Sequence, residues 1–140
     1  MTRTEAWSHH VANALVGGTG VVYAWMLYLV TPDDPFALVN HPHQPTFHAL
    51  HIVTAPLLVF VAGVSWKRHV WARVRSGYPH RRKTGLTLFA LLFPMVSSGY
   101  LLQVSVDETL RQVYLVTHVA TSVLWILTYL AHQFLGRPSG

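Results

Sequence analysis

The residues of this 140-residue sequence whose type and spacing could do chemistry are histidines set deep in uncharged, apolar stretches. An ionisable side chain is costly to place in such a stretch and marks a cofactor, an ion path or a proton relay. His118 and His132 stand 14 residues apart in the run from Gln112 to Gly136, about 21 Å along a helix that rises about 1.5 Å per residue. Fourteen steps of about 100° bring the second to within about 40° of the first, and a heptad supercoil would align them. Imidazole nitrogens above and below a porphyrin hold the iron of a b-type haem, and this spacing fits two haems stacked across a membrane. The absence of cysteine excludes disulfides, cysteine-ligated iron-sulfur clusters, thiolate-bound haem and attachment through C-x-x-C-H. Each histidine of the pair then requires a partner of similar depth on a facing helix.

The elements that must position these side chains emerge from the charges. Asp, Glu, Lys and Arg together make up 11% of the chain and apolar residues 51%, against about 25% charged in a soluble domain. They leave four uncharged stretches, Ala6 to Pro32, Pro35 to Trp66, Thr84 to Val106 and Gln112 to Gly136. A helix needs about 20 mostly apolar residues to cross the hydrocarbon core, which places spans near Val11 to Val30, Phe47 to Trp66, Gly85 to Val104 and Gln112 to Leu135. A barrel would need segments of about 10 residues in strict alternation, and none occurs. The reading is a single all-α domain, a transmembrane four-helix bundle. Thr31-Pro32-Asp33-Asp34-Pro35 and Ser76-Gly77-Tyr78-Pro79 are turn sequences. The first apolar run is too long for a secretory signal and no small-residue cleavage site follows it, so it is a retained span. Pro56 and Pro94 fall inside spans, where membrane helices bend and recover the freed carbonyl. No internal repeat or low-complexity tract is evident.

Seven of the ten Lys and Arg residues, Lys67, Arg68, Arg73, Arg75, Arg81, Arg82 and Lys83, lie in the linker between the second and third spans. The positive-inside rule puts that linker in the cytoplasm. Both termini are then cytoplasmic, which adds Arg3 and Arg137 to that side and leaves Arg111 outside with Asp33, Asp34, Asp107 and Glu108. Flanked by Trp66 and Trp71, the basic linker meets anionic lipid headgroups or a cytoplasmic partner and not nucleic acid.

Depth then selects partners. Counted from each span's midpoint, His118 lies about 8 Å toward the outside and His132 about 13 Å toward the cytoplasm. On the second span His51 lies about 8 Å outside the midpoint and His48 about 13 Å, so His51 is the mate of His118 in an outer haem. On the cytoplasmic side His10 at about 16 Å, His9 at about 17 Å and His69 at about 19 Å are candidates to face His132, and His10 suits it best. His48 and His69 could instead orient a ligand or meet a haem propionate. Small residues line these faces: Ala55, Ala62 and Ser65 beside His51, Ala14, Gly17 and Ala24 beside His10, Thr121 and Ser122 beside His118, and Ser97, Ser98 and Gly99 on the third span. Plain helix packing uses such stripes too. His41, His43 and His80 fall in loops and read as surface residues.

The arrangement resembles the di-haem cytochrome b membrane subunits of respiratory formate dehydrogenases and nickel-iron hydrogenases, and their small four-helix bacterial relatives. In that family one histidine near the start of the first span and one from the second face two histidines 14 residues apart on a later span. The resemblance covers essentially the whole chain. By it, His51 in Leu50-His51-Ile52 looks like the outer ligand and His10 in Trp7-Ser8-His9-His10 like the inner one, His9 being the alternate. The reading expects neither the long loops nor the extended tail by which larger relatives grip a dehydrogenase. What the resemblance implies is a multi-pass protein of the bacterial inner membrane, carrying two haems b. It implies electron transfer across the membrane to or from quinone, with a redox partner or dehydrogenase subunit and a homo-oligomer as possible assemblies. The quinone could sit near His132 and Tyr129 or near His48.

A different class of function is open. His41, His43, His48 and His51 cluster toward the outer surface and could bind zinc or copper in a metal-handling or transport protein. That reading leaves His118 and His132 without a shared explanation, because one ion cannot reach ligands about 21 Å apart. A cofactor-free anchor is the third reading, and it expects histidine replacement to change little.

Overall fold

The structure, a computed structural model, describes residues 2–77 and 81–134. The expected turn at Tyr78-Pro79, the surface placement of His80, the side assigned to Arg137 and the end of the last span at Leu135 lie outside the described residues. Among the described residues the chain is all helical, without strands. Its elements are α1 (Arg3–Tyr28), α2 (Gln44–Ser65), a π-helical turn (Trp66–Trp71), α3 (Ala72–Arg75), α4 (Arg82–Val104) and α5 (Glu108–Phe134). Four helical runs are long and apolar enough to cross a membrane: Arg3–Tyr28, Gln44–Arg75, Arg82–Val104 and Glu108–Phe134. Each begins three to eight residues before the span expected from charge alone.

The caps are legible. Thr2 and Glu5 form a reciprocal capping box at the start of α1, the Thr2 hydroxyl accepting from the Glu5 N–H and the Glu5 carboxylate accepting from the Thr2 N–H. At the far end of α1 the Asn40 side chain donates to the Leu27 carbonyl at 2.8 Å, satisfying one of the acceptors that a helix terminus leaves open. Asp107 caps α5 by accepting the Leu110 N–H at 2.8 Å. Arg111 reaches back to the carbonyls of Leu102 and Ser105, both at 3.2 Å, and so closes the end of α4. The one basic residue expected on the outer side thus serves a helix C-terminus. Pro56 and Pro94 lie within α2 and α4 without breaking either helix.

The chain divides into two compact units, one ending at His69 and the other beginning at Val70. In the first, α1 packs antiparallel against α2; in the second, α4 packs antiparallel against α5. Ala12, Met26 and Leu58 are the buried apolar residues of the first unit, Met95 and Trp125 those of the second. Most other large apolar side chains are exposed, Phe60 at 68% and Phe93 at 78% among them. A water-soluble domain would not present so much apolar surface, whereas hydrocarbon is its natural solvent. In such a solvent the helix pairs are held by close packing and by hydrogen bonds between helices. The buried polar residues are both hydrogen-bonded, one within its helix and one between helices. Ser98 hydrogen-bonds to the carbonyls of Pro94 and Met95 in its own helix, and Ser65 pairs with His9 across the first unit.

Candidate functional site

Within the first unit α2 directs His51 onto α1. The His51 Nδ1–H donates to the Val16 carbonyl at 3.0 Å, with the Thr19 hydroxyl a longer second contact at 3.5 Å. The ring lies against Gly20, so close that a Cβ at that position would stand 2.8 Å from Cε1 and 3.0 Å from Nδ1. The second unit repeats the arrangement. From α5 the His118 Nδ1–H donates to the Met95 carbonyl of α4 at 2.9 Å, and a Cβ at Gly99 would stand 2.9 Å from Cε1 and 3.0 Å from Nδ1. Val16 and Gly20 are four residues apart, as are Met95 and Gly99. The sequence shows no internal repeat, yet the two units build one constellation twice.

His132 lies one level away on the same face of α5, also turned toward α4. Its Nδ1 is 2.9 Å from the Thr84 hydroxyl oxygen. The Thr84 hydroxyl also lies 3.1 Å from the Arg81 carbonyl of its own helix. His51 and His118 share one chemical state: Nδ1 carries the proton and bonds to a carbonyl of the neighbouring helix, which puts the lone pair of the neutral ring on Nε2. His132 meets its neighbouring helix through the same ring nitrogen, on a hydroxyl.

The first span supplies two adjacent histidines, and the structure separates them. His9 Nε2 is 2.8 Å from the Ser65 hydroxyl of α2, and Ser65 is buried. His10 lies edge-on to Trp7 of its own helix, ring centroids 5.7 Å apart. The fold turns His9 onto α2. Ser65 follows His51 by 14 residues, as His132 follows His118. Each unit thus carries an imidazole–carbonyl bond and, about 21 Å farther along the second helix, an imidazole–hydroxyl bond.

The remaining histidines do other things. His48 stacks on Tyr23, centroids 4.9 Å apart and planes 22° from parallel. His41 Nδ1 accepts the His43 N–H at 3.1 Å, and the two rings are 5.5 Å apart, with Trp25 6.1 Å from His41. His69 belongs to the π-helical turn that also carries Lys67 and Arg68, and Arg68 reaches Glu5 of α1 at 3.6 Å. Among the described residues no group of three or more His, Asp or Glu side chains gathers to hold a metal ion.

Sequence reasoning located the imidazoles but missed their partners. Val16, Met95, Thr84 and Gly85 carried no signal that depth arithmetic could use. Gly99 was read only as a small residue of the third span. Of the residues expected to flank a ring, Ser65 does meet an imidazole. The pattern that could have found the sites is a glycine four residues after an apolar residue in one span, with a histidine in the next.

Comparison with known proteins finds no matching family model, no matching curated protein and no matching solved structure.

Proposed function

We propose that this chain is a multi-pass membrane cytochrome of b type that holds two haems through histidine pairs and passes electrons across the membrane, to or from quinone. The observation that carries the reading is that His51, His118 and His132 all meet the neighbouring helix through Nδ1. A haem ligand coordinates through a ring nitrogen lone pair while the other nitrogen donates to a carbonyl, hydroxyl or carboxylate that fixes the ring. Three histidines at the depths expected of such ligands are placed to meet that chemical requirement, His51 and His118 through Nδ1–H on a carbonyl and His132 through Nδ1 on the Thr84 hydroxyl of the antiparallel neighbour. A plain interhelical hydrogen bond would explain one such ring; three on the same nitrogen, with two of them 14 residues apart on one helix, support a shared task.

The residues present therefore fit haem. His51 and His118 are the proposed axial ligands of the outer haem by their depth in the spans. His132 is the proposed ligand of the inner one, with His10 or its neighbour His9 as the fourth. Bound haem supplies one-electron chemistry, and the protein sets its position and potential. The chain's own contribution is to fix the tautomer and tilt of each imidazole through Val16, Met95 and Thr84, and to surround the rings with apolar side chains that exclude water. The same reading takes the linker side as cytoplasmic, both termini with it, and the bacterial inner membrane as the location. The charge asymmetry of the sequence supports the orientation.

The test is haem quantification and a reduced-minus-oxidised absorption spectrum on protein purified from membranes supplied with haem. Two b haems per chain are expected. His51→Ala or His118→Ala is expected to remove one and the same haem, and His132→Ala the other. A protein that inserts, folds and carries no haem refutes the proposal.

A further inference from the structure

Building on the cytochrome reading, we infer that Gly20 and Gly99 are positioning residues that set the tilt of the His51 and His118 imidazoles by opening a helix carbonyl to each ring. In an α-helix every Cα–Cβ bond leans toward the N-terminus, so the side chain at i+4 lies over the carbonyl of residue i. A glycine at i+4 removes that cover. The carbonyl keeps its helical bond to the glycine N–H and gains room for a lateral donor from the neighbouring helix. Both rings use this opening: His51 reaches the Val16 carbonyl beneath Gly20, and His118 the Met95 carbonyl beneath Gly99.

The approach is closer than helix packing requires. A Cβ at Gly20 or Gly99 would fall within 2.8–3.0 Å of two ring atoms. Gly18, Gly63 and Gly85 show no such crowding: nothing lies within 4 Å of the corresponding point at Gly18 or Gly63, and at Gly85 the His132 ring is at an ordinary 3.5 Å. Glycine is among the poorest helix formers, so its use in the middle of two long helices opposite two equivalent rings calls for a local reason. The crowded atoms belong to the far end of a side chain that rotates about two bonds. An alanine would therefore leave the helices packed and turn the ring, breaking the Nδ1–H bond to the carbonyl. The fold survives, and the ligand loses its orienting partner.

The experiment compares Gly20→Ala and Gly99→Ala with Gly18→Ala and Gly63→Ala in the full chain. The first readout is the low-field g value of the oxidised low-spin haems, which follows the angle between the two imidazole planes. The second is haem retention against a competing apoprotein. Gly20→Ala and Gly99→Ala are expected to displace the low-field g value of the haem that His51→Ala removes. They should also weaken its retention about 10- to 100-fold, the usual cost of losing the partner that orients a metal ligand. Gly18→Ala and Gly63→Ala are expected to match the parent. Parental g values and retention in both Gly20→Ala and Gly99→Ala overturn the inference. If the parent chain holds no haem, the functional reading falls, and the positioning is decided by ¹⁵N NMR of histidine-labelled protein in bilayers. Loss of the Nδ1-protonated signal of His51 in Gly20→Ala then sustains the positioning claim, and an unchanged signal overturns it.

Discussion

Thr84→Val isolates the bond that holds His132, because valine keeps the shape of threonine and removes only the hydroxyl. In the parent the Thr84 hydroxyl is 2.9 Å from His132 Nδ1 and 3.1 Å from the Arg81 carbonyl. Without the hydroxyl, a half-buried ring nitrogen loses its hydrogen bond at that point. Leaving a buried donor unmatched costs about 1–3 kcal/mol, which is about 5- to 150-fold in the population of the oriented ring. His132 is only partly buried, so the lower part of that range applies, and about 10-fold weaker retention of the inner haem is expected. The Arg81 carbonyl also loses a donor, but the Gly85 N–H still serves it at 3.0 Å, so the helix start is kept. The assay is a redox titration followed by absorbance, with haem per chain measured before and after exposure to a haem-accepting apoprotein. The haem that His132→Ala removes should be displaced in potential and more readily lost, the other unchanged, and Thr84→Ser should restore both properties. If Thr84→Val leaves that haem at its parental potential and retention while His132→Ala abolishes it, the argument that Nδ1 bonding orients the ligand is wrong.

Further expectations concern the first span, the topology and the surface. His9→Ala and His10→Ala separate the two candidates for the fourth ligand: whichever removes the haem that His132→Ala removes is the ligand, and Ser65→Ala should perturb that haem only if His9 holds it. The chain has no cysteine, so single replacements report sidedness directly. Asp33→Cys should react with a membrane-impermeant thiol reagent from the outside and Ser76→Cys from the cytoplasmic side, and the opposite result reverses the orientation. Arg68→Ala removes an ion pair whose arginine is 76% exposed, and thermal unfolding should register a change of no more than about 0.5 kcal/mol. Thr2→Ala breaks the capping box of α1 and should cost about 1 kcal/mol in the same measurement.

Four helical spans were legible without any structure, since long uncharged runs in a chain with 11% charged residues have no other stable form in hydrocarbon. The turn at Thr31-Pro32-Asp33-Asp34-Pro35 and the clustering of seven basic residues in one linker were equally plain. The candidate imidazoles were legible as well, because a histidine at depth is costly and a 14-residue interval fixes both height and face. Helix periodicity, a local property, carried all of this. What it could not supply was what each ring touches. Depth arithmetic ranked His10 ahead of His9 by a single residue, whereas one step along a helix turns a side chain by about 100°, and it is the packing of α1 on α2 that turns His9 to Ser65.

The partners of the other three rings were hidden for a related reason. The Val16 and Met95 carbonyls are main-chain atoms, identical in every residue, and only the glycine four positions on and the approach of a second helix make them acceptors for a ring. Thr84 lies at the edge of its span and gains meaning only when α4 and α5 run antiparallel, which brings it level with His132 48 residues later in the chain. The sequence by itself thus determined the spans, the likeness of His118 to His132 and the chemistry the imidazoles could perform. The tertiary structure decided which nitrogen of each ring meets a partner, and for His51 and His118 which one carries the proton, because that choice belongs to an oxygen on another helix.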